Sequence, residues 1–316
     1  MMLKLDRDHL AAELSDLNSL LESLPENDLL GRVGLEARRD EVRRRYEGLA
    51  DYVERKAKIA LYFGGDPVVG SAGIEVGFGT HVVGTFQDLI SKVWGTADGA
   101  QLMPMGPVRD REEAQLHITN LVHGSFGFLL EELDQTGEPM FETPLKKAAD
   151  QVSEYIVNFA SESEAAFFGV IEDLNPRVFQ SIRQFFAYMH SAKATFRLVE
   201  GERDEKFDHF AVERAWYRAE SSKVDEEHVH VRGRLLGVIP MRRRFEFEPD
   251  DGNQIIEGKV GEKFSQSYLE RISTEQFAGR RWKALLHKRT VEKAGRMPVD
   301  KYTLLELDEI GETATR

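Results

Sequence analysis

The amino-acid sequence predicts a mixed α+β chain with an N-terminal helical hairpin, an α+β body and a small C-terminal β-barrel. Three observations lead to this prediction. Leucines recur at helical spacing early in the chain, the hydrophobic period then alternates between helical and strand-like, and short strands with strong turn signals fill the C-terminal part. The predicted parts are a hairpin at 1–55, a body at 56–200, a helical connector at 201–227 and a barrel at 228–316.

Two apolar seams predict the hairpin. The first consists of Leu10, Leu14, Leu17, Leu21 and Leu24, and the second of Leu35, Val42, Tyr46, Leu49 and Val53. Pro25 and two glycines separate them, which indicates a turn. The seams are compatible with pairing inside one chain or between two copies, and the short heptad runs favour the hairpin. We also expect a homo-oligomer, formed through this hairpin or through an aromatic helix at 176–190.

Strand-like and helical patterns alternate through the body. The predicted elements are, in order, a strand at 59–63, a helix at 84–93, strands at 115–122 and 125–133, three helices from 143 onward and a strand at 194–200. Thr143-Pro144 and Asn175-Pro176 each place a capping residue before a proline that suits the first helical turn. The aromatic face of the helix at 176–190 is typical of a buried core.

Short strands separated by turns predict the barrel. They span 228–238, 243–248, 255–260, 282–288 and 301–307, with a helix at 264–272 between the third and fourth. Asp250-Asp251-Gly252-Asn253 supplies a strong turn signal. This order is that of a barrel of the oligonucleotide-binding (OB) type, and an SH3-like barrel fits nearly as well.

Charge is distributed unevenly along the 316 residues, whose formal net charge is −13. Residues 1–227 hold 25 Lys and Arg against 41 Asp and Glu, whereas residues 228–301 hold 16 against 10. A basic module therefore follows an acidic body. A difference in the sign of the net charge between two parts of a chain indicates that the basic part has a binding function of its own. The alternative is that the two oppositely charged parts dock on each other.

Composition and motifs exclude several classes of protein. The absence of cysteine rules out disulfides, thiolate metal sites and a cysteine nucleophile. No apolar run reaches the ~18 residues of a membrane span, and Asp6 and Asp8 lie where a signal peptide would be basic and then apolar. The glycines at 64–84 match neither a P-loop nor a dinucleotide fingerprint, and His123 breaks the nucleophile-elbow pattern around Ser125. We expect a cytoplasmic protein with no cofactor and no membrane contact.

Two constellations suggest metal chemistry. Pro249-Asp250 followed by Glu257-Gly258-Lys259 has the residue types of a metal-dependent nuclease, in which carboxylates hold a divalent ion and a lysine helps to place the attacking water. This alternative function uses Asp250, Glu257 and Lys259, although the short separation leaves Asp250 in a tight turn. His228-x-His230 projects two rings from one strand face and gives a weaker alternative, a zinc site.

Cations and aromatic residues interleave in the basic module. The candidate binding residues are Arg232, Arg234, Arg242, Arg243, Arg244, Arg280, Arg281, Trp282, Lys283, Lys288 and Arg289. In OB barrels, aromatic rings stack on bases while Arg and Lys follow the phosphates. The alternation of Phe245 and Phe247 favours the barrel core for these two rings. We therefore expect a non-enzymatic binding or regulatory protein whose residues 228–301 contact nucleic acid or an acidic protein surface.

Several short motifs within residues 57–200 resemble those of a family of uncharacterised bacterial proteins. They are Phe63-Gly64-Gly65, Pro67-Val68, Gly70-Ser71, Gly73-Ile74, Phe86-Gln87 and Gly124-Ser125-Phe126-Gly127-Phe128. The resemblance implies a bacterial source and an association with phage defence or mobile elements. It implies no activity, cofactor or catalytic residue.

Overall fold

The computed structural model describes residues 3–25, 28–50, 52–96, 106–108, 111–122, 126–133, 137, 139–252, 254–274, 280–293 and 297–310. Within these ranges the chain has eight α-helices and twelve β-strands, which confirms the predicted mixed α+β class. The chain divides into two compact units. The first comprises Met1–Phe167 and Ser181–Trp216, and the second comprises Phe168–Gln180 and Tyr217–Arg316.

The first unit begins with two helices, α1 (Leu3–Ser23) and α2 (Leu29–Gly48). Leu10, Leu17 and Val42 form the buried core between them, as the predicted seams require. Tyr46 and Val53 of the second predicted seam are exposed instead, and Val53 lies beyond the end of α2. The Asp28 side chain accepts a hydrogen bond from the Gly31 N–H and so caps the start of α2. The two helices are therefore held together by a narrow apolar stripe, and most other positions along them face solvent.

A five-stranded antiparallel sheet forms the centre of the first unit. Its strands, in chain order, are β1 (Lys58–Gly65), β4 (His117–Val122), β5 (Phe126–Glu131), β6 (Ala194–Glu200) and β7 (Arg203–Phe207), and two short strands, β2 (Val68–Val69) and β3 (Gly73–Ile74), pair separately. The spatial order is β4-β5-β1-β6-β7. The predicted pairing of the strands at 115–122 and 125–133 is present as β4 and β5. The turn residues 123–125 lie outside the described part of the chain.

Five helices complete the elements up to residue 220: α3 (Val76–Trp94), α4 (Pro144–Ala160), α5 (Glu164–Ile171), α6 (Pro176–Ser191) and α7 (His209–Glu220). The predicted caps are observed. The Thr143 hydroxyl accepts from the Lys146 N–H at 3.0 Å, and the Asn175 side chain accepts from the Arg177 N–H at 2.9 Å. Phe185 and Phe186 of α6 are fully buried, so the aromatic face is core as predicted.

The segment 201–227 is not the single helical connector that its charge density predicted. It contains β7, α7 and the start of β8 (Ser222–Ile239). Gly201 adopts a φ of 56°, which makes the tight turn that folds β7 back onto β6. β7 lies at the edge of the sheet, where charged side chains are favoured because they discourage further pairing. The high charge of this segment is therefore compatible with an edge strand, which the sequence analysis did not predict.

The second unit contains β8, β9 (Arg244–Pro249), β10 (Ile256–Val260), α8 (Gln266–Thr274), β11 (Arg281–Lys293) and β12 (Val299–Glu309). Each strand pairs with two others, so the order β10-β12-β11-β8-β9 closes on itself. All pairs are antiparallel except β10 with β12, which is parallel. The core inside this closed sheet includes Leu235, Phe245, Phe247, Trp282, Leu286 and Leu304, with Leu269 of α8.

One glycine is required where two strands of the second unit approach. A Cβ on Gly258 would lie 2.2 Å from the Tyr302 carbonyl oxygen and 2.7 Å from the Phe245 ring. The absence of a side chain therefore permits the parallel pairing of β10 with β12. None of the helices within the described ranges has the length and apolar character needed to cross a bilayer.

Candidate functional site

The two longest strands of the second unit, β8 and β11, carry cations directly opposite one another. Arg234 is in register with Arg281, and Arg232 is in register with Lys283. Because side chains alternate along a strand, all four point away from the core, whereas the intervening Trp282 points into it. Like charges directly opposite on paired strands destabilise a sheet. We call Arg232, Arg234, Arg281 and Lys283 the cation face.

Acidic neighbours neutralise only part of the cation face. Arg281 pairs with Asp250 at 2.8 Å, and Arg234 lies 3.6 Å from Glu248. Arg232 and Lys283 have no ion pair within 4.0 Å among the described residues, although Asp308 of β12 is in register opposite Lys283. The face therefore keeps a positive excess at Arg232 and Lys283.

Histidines continue the same two strands beyond the cation face. His228 is in register with His287, and their ring centroids lie 5.3 Å apart. His287 contacts Glu226 at 3.4 Å, and Arg289 binds the same carboxylate through two nitrogens, at 2.8 and 2.5 Å. Burial alone would raise the pKa of Glu226, but hydrogen bonds and charge from His287 and Arg289 outweigh it and hold this pKa below its usual range.

The predicted zinc site is not assembled in the described part of the chain. His228 and His230 do project from β8, but no group of three His, Asp or Glu with metal-binding geometry occurs there. The nearest carboxylate on the same face of the strand, Glu226, is already held by Arg289. The pair of histidines therefore has no third ligand within these residues.

Arg242 and Arg244 of the predicted binding residues, and Lys259 of the nuclease alternative, lie apart from the cation face. Arg242 is in a short 3-10 turn at Pro240–Arg242, and Arg244 on β9 is in register with Lys259 on β10. All three side chains are exposed. Glu246 and Glu257 follow as the next outward-facing pair on β9 and β10. On this surface an opposed pair of cations is followed directly by an opposed pair of acids.

The remaining predicted cations have structural contacts. Arg243, at a φ of 47°, donates to the carbonyl oxygens of Gly261 at 2.6 Å and Phe264 at 3.0 Å. Lys288 lies between Glu227 at 3.5 Å and Asp300 at 3.3 Å. Burial would lower the pKa of Lys288, but Asp300 and its neighbours raise it, so the amine stays charged and paired. Arg280 pairs with Glu309 at 2.8 Å, and Arg289 is held by Glu226.

The interleaved aromatic residues lie inside the closed sheet. Trp282 is 3% exposed, and Phe245 and Phe247 are 1% and 0% exposed. A ring that stacks on a nucleic-acid base must be accessible. The assignment of Trp282 as a nucleic-acid contact is therefore corrected: its alternation with Arg281 and Lys283 places it in the core.

The nuclease residues are not brought together. Asp250 follows β9 and pairs with Arg281, whereas Glu257 on β10 is in register with Glu246. Asp250 lies four positions beyond Glu246 along the chain, which at ~3.3 Å per residue places it roughly 13 Å from that register position. Lys259 lies next to Glu257 on the same outward face of β10. The two carboxylates that a shared divalent ion would need are thus far apart.

Comparison with known proteins identifies no family for this chain. No protein-family model, no curated protein and no solved structure matches the chain. The resemblance of residues 57–200 to a family of uncharacterised bacterial proteins therefore stays a prediction. The sequence showed only the two halves of the cation face, Arg-x-Arg at 232–234 and Arg-x-Lys at 281–283. Strand register, which the sequence does not give, places these two pairs opposite each other.

Proposed function

We propose that the second unit is an OB-type barrel that binds the phosphate backbone of a nucleic acid through its cation face. Numbered from β8, its strands follow the order first, second, third, fifth, fourth and back to the first, with α8 between the third and fourth. This closed Greek-key order with one inserted helix supports the OB type over the SH3-like alternative. The chain acts in this proposal as a binding or regulatory protein.

The observation that carries the proposal is the register of the four cations. Two like-charged pairs lie directly opposite on adjacent strands, and Arg232 and Lys283 have no ion pair within the described residues. Such pairs cost stability in the free protein. A phosphate placed between the opposed cations would offset this repulsion and form charge-assisted hydrogen bonds. Anion binding therefore explains an arrangement that folding alone disfavours.

The buried aromatic residues point to phosphates as the contacted groups, in preference to bases. Because Trp282, Phe245 and Phe247 lie in the core, the described strands offer no ring of this set for stacking. Binding through cations alone is independent of sequence and depends strongly on salt. An acidic protein surface is the second candidate, favoured by the net charge of −13, which repels a long polyanion.

Salt titration of the intact protein tests the proposal. Fluorescence anisotropy would follow labelled single- and double-stranded oligonucleotides between 50 and 200 mM salt. If four cations each neutralise one phosphate of a duplex, the slope of log K against log salt should be about −3.6, at about −0.9 per contact. Arg232→Ala should make this slope shallower by about 0.9.

The matched control is Lys263→Ala, which removes another exposed cation, from the loop after β10. It should leave the slope unchanged. Equal effects of the two substitutions would contradict a specific cation face. Nonspecific association that matters is detectable at ~10 µM protein in 50 mM salt. If neither oligonucleotide binds under these conditions, the acidic protein surface becomes the leading candidate. Magnesium-dependent cleavage of the probes that Glu257→Ala abolishes would instead restore the nuclease alternative.

A further inference from the structure

The outward row of side chains on β8 continues beyond the cation face. Because side chains alternate along a strand, His230 and His228 lie on the same face of β8 as Arg232 and Arg234. Successive members of this row are ~6.6 Å apart, at ~3.3 Å per residue. Both histidine side chains are exposed, and neither has an ion pair among the described residues. A polyanion that follows β8 across the cation face would therefore meet these two histidines next.

The side chains opposite the two histidines on β11 carry no negative charge. His230 is in register with Leu285, and His228 is in register with His287, whose ring centroid lies 5.3 Å from its own. His287 contacts Glu226 at 3.4 Å and its side chain is 11% exposed, whereas His228 is exposed. At this level of the sheet, His228 is therefore better placed than His287 to contact a ligand.

Glu226, the outward residue that follows His228 on β8, is compensated by two neighbouring side chains. Arg289 binds this carboxylate through two nitrogens, at 2.8 and 2.5 Å, and His287 contacts its other oxygen. Its negative charge is thus offset within the sheet, which weakens its repulsion of a phosphate at His228. The remaining acids at this end of β8 alternate to its opposite side: Asp225 and Glu227.

The strands and helix around this row favour a path along β8. β12 lies on the far side of β11 and carries two exposed acids on the outward face, Glu306 and Asp308. They would repel a polyanion that lay on the β12 side of β11. On the other side, β9 pairs with β8 only from Gly233 onward, so it adds no charge beside the histidines. α8 packs against the core inside the sheet through Leu269, away from the outward face.

We propose that His228 and His230 extend the cation face and contact phosphates in their protonated form, so that nucleic-acid binding tightens as the pH falls from 8 to 6. This inference rests on the proposed function. Histidine is the side chain whose charge changes in this pH range, whereas the Arg and Lys of the cation face stay charged throughout. The cation face therefore acts alone at pH 8, and the two histidines join it at pH 6.

Salt titrations of the intact protein with a labelled duplex at pH 8 and pH 6 test this extension. At about −0.9 per phosphate contact, two further contacts should steepen the slope of log K against log salt from about −3.6 at pH 8 to about −5.4 at pH 6. His228→Gln combined with His230→Gln should keep the slope near −3.6 at both pH values. The matched control, His9→Gln combined with His209→Gln, removes two exposed histidines of the first unit and should steepen as the wild type does.

Proton uptake provides a second readout. Since coupling between two ligands is reciprocal, a phosphate that binds better to the protonated rings must also promote their protonation. Mixing the wild-type protein with the duplex in weakly buffered solution at pH 7 should therefore take up protons, and the His228/His230 variant should take up fewer. Equal uptake by the two proteins would overturn the proposal.

The outcomes separate the histidine contacts from the proposed function. A wild-type slope that is the same at pH 8 and pH 6 would overturn the histidine contacts and leave the cation face in place. A His228/His230 variant whose slope steepens as much as that of the wild type would do the same. No binding of the duplex at either pH would overturn both proposals.

Discussion

Glu200 gives the first unit a stability that depends on pH near neutrality. Its side chain is 4% exposed at the end of β6 and accepts a hydrogen bond from Lys146, which also binds Asp150. Arg203 donates to the second oxygen of Glu200 at 3.2 Å. Burial and the nearby Asp150 carboxylate outweigh the attraction of Lys146, so the pKa of Glu200 is raised to about 7 from an ordinary 4.5.

This raised pKa has a definite consequence for unfolding. Between pH 4.5 and 7 the folded protein binds the Glu200 proton more tightly than the unfolded chain does, so the free energy of unfolding falls as pH rises through this window. At 1.36 kcal/mol per pKa unit, the contribution present at pH 5 and lost by pH 8 is about 2.5 kcal/mol. Carboxylates whose pKa is lowered, such as Glu131 and Asp204, lose their contribution only at more acidic pH.

Urea unfolding at pH 5, 6, 7 and 8 measures the effect when wild type is compared with Glu200→Gln. The glutamine is uncharged at every pH, so the variant should gain about 2.5 kcal/mol over the wild type between pH 5 and pH 8. Glu205→Gln on β7 removes an exposed carboxylate and is the control; its difference from wild type should stay constant. A constant difference for Glu200→Gln would refute the assignment of Glu200 as the titrating group.

Two further predictions concern the second unit. Arg243→Ala should lower the free energy of unfolding by about 2–3 kcal/mol, because the carbonyl oxygens of Gly261 and Phe264 lose a charged donor, and it should leave the salt dependence of oligonucleotide binding unchanged. Gly258→Ala should lower the melting temperature of this unit, because its Cβ would lie 2.2 Å from the Tyr302 carbonyl oxygen. Thermal unfolding followed by Trp282 fluorescence, in a chain whose Trp94 and Trp216 are replaced by phenylalanine, checks both. A melting temperature equal to that of the same chain without the added substitution would contradict either.

The parts of the fold that were predictable depend on local interactions. Thr143 and Asn175 cap helices through hydrogen bonds to residues two or three positions ahead, so the signal lies within one turn of the chain. The alternation of apolar and charged residues along β9 likewise predicts directly which of its side chains are buried. Strand β7 was not predicted because a highly charged strand is tolerated only at the edge of a sheet. Its edge position depends on contacts with β6, which the local sequence does not reveal.

The candidate site was predictable as a set of residues but not as a surface. Arg243, Arg244 and Arg281 look alike in the sequence, yet Arg243 binds carbonyl oxygens, Arg244 is exposed beside a mixed-charge surface, and Arg281 belongs to the cation face. The difference comes from strand register, which joins residues about fifty positions apart. Composition can therefore indicate that a module is basic, whereas the pairing of β8 with β11 places Arg232 and Arg234 opposite Lys283 and Arg281, and so assembles the cation face.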